Sequence, residues 1–178
     1  MKIYLVGFMG AGKTTTGAAL AQRLGVPFLD LDSLVEEAEG MTIKEIFADK
    51  GEPYFRKRER DILRSTQYVE HGVIATGGGT FTFEENIQFI RAEGLAIYLA
   101  APFALLSSRI GAKAAERPMF RDELATRDLY QQRLRYYKLS DITIDVREEE
   151  TRREVVERIV LQLPKSLLDS QSQASKRR

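Results

Sequence analysis

Five short apolar runs punctuate the chain, at residues 3–6, 26–29, 73–75, 95–100 and 142–144, and each is followed by a longer amphipathic or capped stretch. Runs that stay apolar, rather than alternating with polar residues, suit strands buried on both faces. The pattern predicts an α/β three-layer sandwich, a five-stranded parallel sheet flanked by helices. Helices are expected near residues 13–24, 33–38, 42–48, 52–70, 83–93, 102–110, 122–139 and 151–163. Four of these starts carry a capping-box pattern, in which a hydroxyl and a carboxylate satisfy orphan amide donors reciprocally: Ser33/Glu36, Thr42/Glu45, Thr82/Glu85 and Thr151/Glu154. Residues 1–163 read as a single domain, and the polar end, 164–178, as a flexible tail.

Composition narrows the chemistry. With 178 residues, 43% hydrophobic and 30% charged, the chain has the make-up of one soluble globular domain. It contains no Cys and one His, His71. That excludes disulfide frameworks, Cys-based zinc sites, thiol nucleophiles and any Ser-His pair not built on that imidazole. His71 precedes a strand and reads as a turn residue. The net charge of +1 provides no global field toward nucleic acid or an anionic membrane, so any anion is bound locally. No window approaches the roughly 20 apolar residues of a membrane span. With no Cys, the reducing cytoplasm is the expected compartment.

The first predicted strand runs into Gly7-Phe8-Met9-Gly10-Ala11-Gly12-Lys13-Thr14, which fits G-x-x-x-x-G-K-[ST] and leads into a predicted helix. In that context the pattern is a phosphate-binding loop. Its glycines let backbone N–H groups turn toward phosphate oxygens, Lys13 reaches the outer phosphates, and the Thr14 hydroxyl can ligate Mg2+. A guanine-nucleotide switch would add N-K-x-D and D-x-x-G, yet the only Asn is Asn86 and no D-x-x-G occurs. A motor ATPase would end a later strand in a carboxylate, where this chain has Thr76-Gly77-Gly78-Gly79.

Further along, Pro27-Phe28-Leu29 ends in Asp30-Leu31-Asp32, and residues two apart on a strand share a face. Both carboxylates are thus expected beyond the strand's carboxyl end, in the crevice where parallel sheets bind ligands. The competing role is capping of the helix expected at 33. Arg56 follows Phe55 in a charged stretch that also fits a solvated helix face, although a guanidinium beside an aromatic wall suits a carboxylate gripped bidentately. The irregular stretch between Arg109 and Pro118 resembles a mobile lid, about residues 110–121, able to deliver Arg117 to a transferred phosphoryl group. The next helix carries Arg127, Arg133 and Arg135, and spacing leaves its basic side facing either solvent or the site.

In their order and spacing, the phosphate loop, Phe28-Leu29-Asp30-Leu31-Asp32, Ile46-Phe47, Gly51-Glu52-Pro53-Tyr54-Phe55-Arg56-Lys57-Arg58-Glu59, Thr76-Gly77-Gly78-Gly79, Arg117-Pro118 and Arg133-Leu134-Arg135-Tyr136-Tyr137 resemble the shikimate kinase family. The resemblance implies a P-loop kinase fold with a mobile lid, and transfer of a phosphoryl group from ATP, with Mg2+, to the 3-hydroxyl of shikimate. It implies catalytic roles for Lys13, Asp32 and Arg117, nucleotide contacts from Gly10, Ala11, Gly12, Lys13, Thr14, Thr15, Arg109 and Arg117, and metal contacts from Thr14 and Asp30. Shikimate would lie in a region of about 32–60 and beyond, held by Asp32, Arg56, Gly77, Gly78, Gly79 and Arg133 and walled by Phe47 and Phe55. A cytoplasmic monomer acting on shikimate and ATP, without nucleic acid or membrane, is the corresponding expectation. A kinase for another polyol acid such as gluconate, or a nucleotide-binding module without turnover, are the other readings. All of these roles require that the phosphate loop and the arginine-lined pouch open into one cavity.

Overall fold

The computed structural model describes residues 1–111 and 122–165. β1 (Lys2–Val6) is buried along its whole length, as is β3 (Gly72–Ala75). With β2 (Phe28–Asp30), β4 (Leu95–Ala100) and β5 (Ile142–Asp145) they form one parallel sheet in the order β2-β3-β1-β4-β5. The expected five-stranded sheet is present, and β1 lies at its centre. Leu5 pairs with Ala75 on one side, and Val6 with Tyr98 on the other. The chain passes to opposite sides of β1 as it builds β3 and β4, which opens a crevice at the carboxyl end of β1.

Seven helices among the described residues cover the sheet: α1 (Lys13–Leu24), α2 (Leu31–Glu39), α3 (Ile43–Ser65), α4 (Glu84–Glu93), α5 (Phe103–Gly111), α6 (Glu123–Tyr137) and α7 (Arg152–Gln162). Their apolar sides and the strands form one core, with Ile3, Leu5, Leu20, Ile74, Ile97, Ile144 and Ile159 fully enclosed. A second, smaller cluster of Val35, Ile46 and Phe55 belongs to α2 and α3 alone, joined by partly buried Phe47 and Tyr54. These two helices therefore carry a core of their own beside the sheet.

Two of the four expected capping boxes form, at Thr42/Glu45 and Thr151/Glu154. The other two do not. Helix α2 starts at Leu31, ahead of Ser33, because the Asp30 carboxylate accepts from the backbone N–H of Asp32 and Ser33. Glu36 instead accepts from the Ile43 N–H at 2.8 Å. At Thr82, the hydroxyl donates to the Gly79 carbonyl inside a 3-10 turn (Thr80–Thr82), and α4 begins two residues later without a side-chain cap. The helices expected at 42–48 and 52–70 are one element broken at Gly51, whose φ of 80° only glycine adopts readily, and α3 gives way at Ser65 to a 3-10 turn, Thr66–Tyr68.

Glu39 clasps α2 to α3. Its carboxylate accepts from Lys50 Nζ at 2.9 Å, Tyr54 OH at 2.9 Å and Arg58 Nε at 2.5 Å. Hydrogen bonds from Lys50, Tyr54 and Arg58 hold its pKa down to about 2, against 4.5 for a free carboxyl. A depressed carboxylate contributes stability above the unfolded value and loses it as pH falls. Glu39→Gln should therefore lower the urea midpoint at pH 7, with the two midpoints converging between pH 4.5 and about 2. A gap of constant size down to pH 2 would show that the clasp is not ionic.

Candidate functional site

The site begins where β1 ends. Backbone from Gly7 to Gly12 wraps back on itself, and Gly12, at φ 92°, starts α1 in a conformation that L side chains avoid. No side chain caps α1. Its first N–H groups and the positive end of its dipole are thus available to an anion. Lys13 Nζ curls over the loop and donates to the Gly7 and Phe8 carbonyls at 2.8 and 2.9 Å. Thr15 Oγ1 donates to the Gly12 carbonyl at 3.1 Å.

The Thr14 hydroxyl donates to Asp30 Oδ2 at 2.6 Å. Strand alternation does not pair Asp30 with Asp32, contrary to expectation, since Asp30 ends β2 and Asp32 lies in the first turn of α2. Asp30 caps that helix and meets Thr14 with its second oxygen, so capping and site duties fall on one carboxylate. Among the described residues no group of three or more His, Asp or Glu side chains could hold a metal unaided. Thr14 and Asp30 present two adjacent hard oxygen donors, the sparse protein share that suits a Mg2+ ion keeping water and phosphate oxygens as its other ligands.

One cavity of about 690 Å³ contains both halves of the expected site. Gly10, Gly12, Lys13, Thr14, Thr15 and Arg109 line one end, and Phe47, Phe55, Arg56, Gly79 and Arg133 the other, with Asp30, Asp32, Gly77 and Gly78 between. Ala11 does not line it; its methyl is buried in the core and its N–H bonds to the Phe8 carbonyl. Arg109 Nη1 donates to the Gly10 carbonyl at 3.2 Å. Arg117 and nearly all of the expected lid lie outside the described residues, as does the tail from 166. His71 sits exposed in the bend before β3, beside the Met1 amino group and away from the cavity. No helix among the described residues is long and apolar enough to cross a membrane.

The glycine run after β3 threads between charged side chains. A Cβ at Gly77 would collide with Glu59 Oε1 and stand 2.8 Å from Asp32 Oδ1. One at Gly79 would lie 2.6 Å from Arg56 Nη1, and one at Gly78 would press on Met9 N and Arg133 Nη1 at 3.3 and 3.5 Å. Glu59, which sequence reasoning passed over, is fully buried and accepts from Arg56 Nη1 at 2.9 Å and Thr80 Oγ1 at 2.6 Å. Its only mark in the sequence was its place three residues after Arg56 in a run that reads as a solvated face.

Asp32 carries the least satisfied group: its Oδ1 is buried without a hydrogen-bond partner. Burial, then the charges of Glu59 and Asp30, push its pKa up to about 7, against the opposing pull of Lys13 and Arg56. An acceptor oxygen with no donor costs free energy until one arrives. Burial also opposes the Arg56 charge, but Glu59 and Glu52 more than offset this and its pKa rises. Arg133 is 8% exposed, has no carboxylate in ion-pair reach among the described residues, and is lowered in pKa by burial. Helix α6 thus turns Arg133 inward, while Arg127 packs over the Phe103 ring at 4.8 Å and Arg135 over Tyr136, both away from the cavity.

Phe47 and Phe55 stand 4.9 Å apart at 45°, forming an apolar wall. The arrangement can hold a triphosphate at one end and a carboxylate on an apolar ring at the other, with an unpaired carboxylate oxygen between them.

A model of the shikimate kinase family matches residues 9–164. The shikimate kinase of Aquifex aeolicus is 38% identical over 164 residues, covering 92% of this chain and 96% of the relative. That of Alkaliphilus oremlandii is 43% identical over 163 residues, 89% of this chain and 96% of the relative. A solved structure of shikimate kinase from Acinetobacter baumannii in complex with shikimate superposes with a TM-score of 0.85 at 37% identity, over 89% of this chain and 90% of that one.

The crowding at Gly77 is measurable without any ligand. Gly77→Ala should lose about 1–3 kcal/mol, as overpacked sites do, whereas Gly111→Ala, at the end of α5 and with no described atom within 4 Å of an added Cβ, should melt no lower than the wild type. Equal melting temperatures for all three would remove the steric reason for the glycine run.

Proposed function

Since this chain belongs to the shikimate kinase family, we propose that it transfers the γ-phosphoryl group of ATP to the 3-hydroxyl of shikimate, giving shikimate 3-phosphate and ADP. The observation that carries the reading is the single cavity shared by the phosphate loop and the Asp32, Arg56 and Arg133 cluster. Donor and acceptor can meet there without crossing packed interior.

The triphosphate rests on the loop N–H groups and the uncapped start of α1. Lys13 exchanges the Gly7 and Phe8 carbonyls for the outer phosphate oxygens. Thr14 would hold Mg2+ directly and Asp30 would hold it through water, where the ion would supply positive charge to offset that of the phosphates. Arg109 lies at the nucleotide end, and Arg117, from the lid, adds positive charge over the transferred group.

At the other end Arg56 and Arg133 clamp the shikimate carboxylate, and Phe47 and Phe55 wall its ring. Gly77, Gly78 and Gly79 line the cavity with bare backbone and let the acceptor approach their N–H groups, while their carbonyls accept from Thr80, Tyr137 and Thr82. Asp32 orients the 3-hydroxyl, and its unpartnered Oδ1 takes the proton as the oxygen attacks phosphorus. Phosphoryl transfer has a loose transition state, so alignment and fixed positive charge supply most of the catalysis. A chain with no Cys and one His suffices for it. The enzyme works as a monomer in the cytoplasm.

In a coupled assay, ADP release should rise steeply with shikimate and stay flat with gluconate or nucleoside monophosphates; a flat shikimate response sinks the assignment. Asp32→Asn should reduce kcat by about 100-fold or more while ATP still binds, in keeping with loss of a proton acceptor. Unchanged turnover would remove Asp32 from the chemistry.

A further inference from the structure

Tyr137 closes α6, is fully buried, and has no part in the scheme above. Its hydroxyl donates to the Gly78 carbonyl. Arg133 lies one helical turn earlier on the same face of α6, close enough that the hydroxyl favours its charge. With its single proton committed to Gly78, the hydroxyl can meet the guanidinium only as an acceptor. The ring stacks on Tyr98 of β4, with centroids 5.2 Å apart and planes 26° from parallel, so the hydroxyl is held from behind. Gly78 borders both the phosphate loop and the guanidinium: a Cβ there would stand 3.3 Å from Met9 N and 3.5 Å from Arg133 Nη1.

The two clamp arginines are supported in different ways. Arg56 is braced by two carboxylates, with Glu52 at 3.0 Å and Glu59 at 2.9 Å. Arg133 has no carboxylate in ion-pair contact among the described residues; the Tyr137 hydroxyl and, less strongly, the charge of Glu59 favour its cation, and the Phe8 ring lies 5.9 Å from its Cζ. A carboxylate there would fix the guanidinium but also neutralise it, and an incoming acid would have to compete. A neutral hydroxyl orients the same group and leaves its charge unspent.

We propose that Tyr137 is a positioning residue for the acceptor's carboxylate, pinning the Arg133 guanidinium and the Gly78 peptide in one arrangement while leaving the Arg133 charge available to shikimate. This rests on the functional reading above. Burial raises the Tyr137 pKa, so the phenol stays protonated and continues to donate at all ordinary pH values.

Tyr137→Phe keeps the stacked ring and deletes only the hydroxyl. It should raise KM for shikimate roughly five- to tenfold, the usual net scale for losing one hydrogen bond. KM for ATP should be unchanged and kcat should stay within about twofold. With shikimate methyl ester, which lacks the carboxylate charge, wild type and variant should give equal KM values, and in an Arg133→Gln background Tyr137→Phe should add nothing. A purely structural role would instead shift acid and ester alike. An unchanged shikimate KM, equal rises for acid and ester, or additive losses with Arg133→Gln would each overturn the proposal. So would a crystal of the wild-type complex with shikimate in which the Tyr137 hydroxyl has left Arg133 and Gly78. Wild type that fails to phosphorylate shikimate overturns the functional reading and this inference with it; wild-type turnover with an indifferent Tyr137→Phe overturns this inference alone.

Discussion

Everything at the site depends on how closely bare backbone passes charged side chains just after β3. Gly77 and Gly79 leave no room for a Cβ against Asp32, Glu59 and Arg56, and one at Gly78 would already touch Arg133. That proximity brings the carboxylates and guanidiniums of three separate helices around a single strand end. It also removes them from water, which makes each unmatched charge or acceptor costly and therefore eager for a ligand. The unsatisfied Asp32 oxygen and the buried Arg133 cation, which has no ion-pair partner among the described residues, are places in the cavity where that cost is left standing.

The chain's near-zero net charge agrees with this picture. With a net charge of +1, its electrostatics are local. Lys13, Arg56, Arg109 and Arg133 share one cavity with Asp30, Asp32 and Glu59. The cations sit toward the two ends, where phosphate and carboxylate bind, and the acids toward the middle, where a hydroxyl and a hard cation would be handled. Positions of charge, rather than its total, decide what is bound.

Much of this was legible in the sequence, for identifiable reasons. Apolar runs located all five strands, most clearly the buried β1, β3 and β4 of a doubly covered sheet and less so the edge strand β5, where Thr143 interrupts the run, and the phosphate loop was visible because backbone geometry there demands fixed glycines. Local capping was less legible. Ser33 and Thr82 carried the pattern for a helix start, but Asp30 reached the free amides first and the Gly79 carbonyl captured the Thr82 hydroxyl. Glu59 and Tyr137 were passed over because charge runs and aromatic residues on helices look alike whether they face solvent or interior. Only the packing distinguishes Arg133, turned inward, from Arg127 and Arg135 on the same helix.

The separate apolar cluster of α2 and α3, closed by Glu39 and broken at Gly51, has an evolutionary consequence. Phe47, Phe55 and Arg56 are mounted on a helix pair that has an apolar cluster of its own besides the residues, Leu31 and Leu63, that anchor it in the sheet's core, whereas the nucleotide end is built on β1 and α1. Substitutions that reshape the acceptor pouch can accumulate in the helix pair without disturbing the triphosphate cradle. New acceptor preferences can therefore diverge on an unaltered phosphoryl-donor platform.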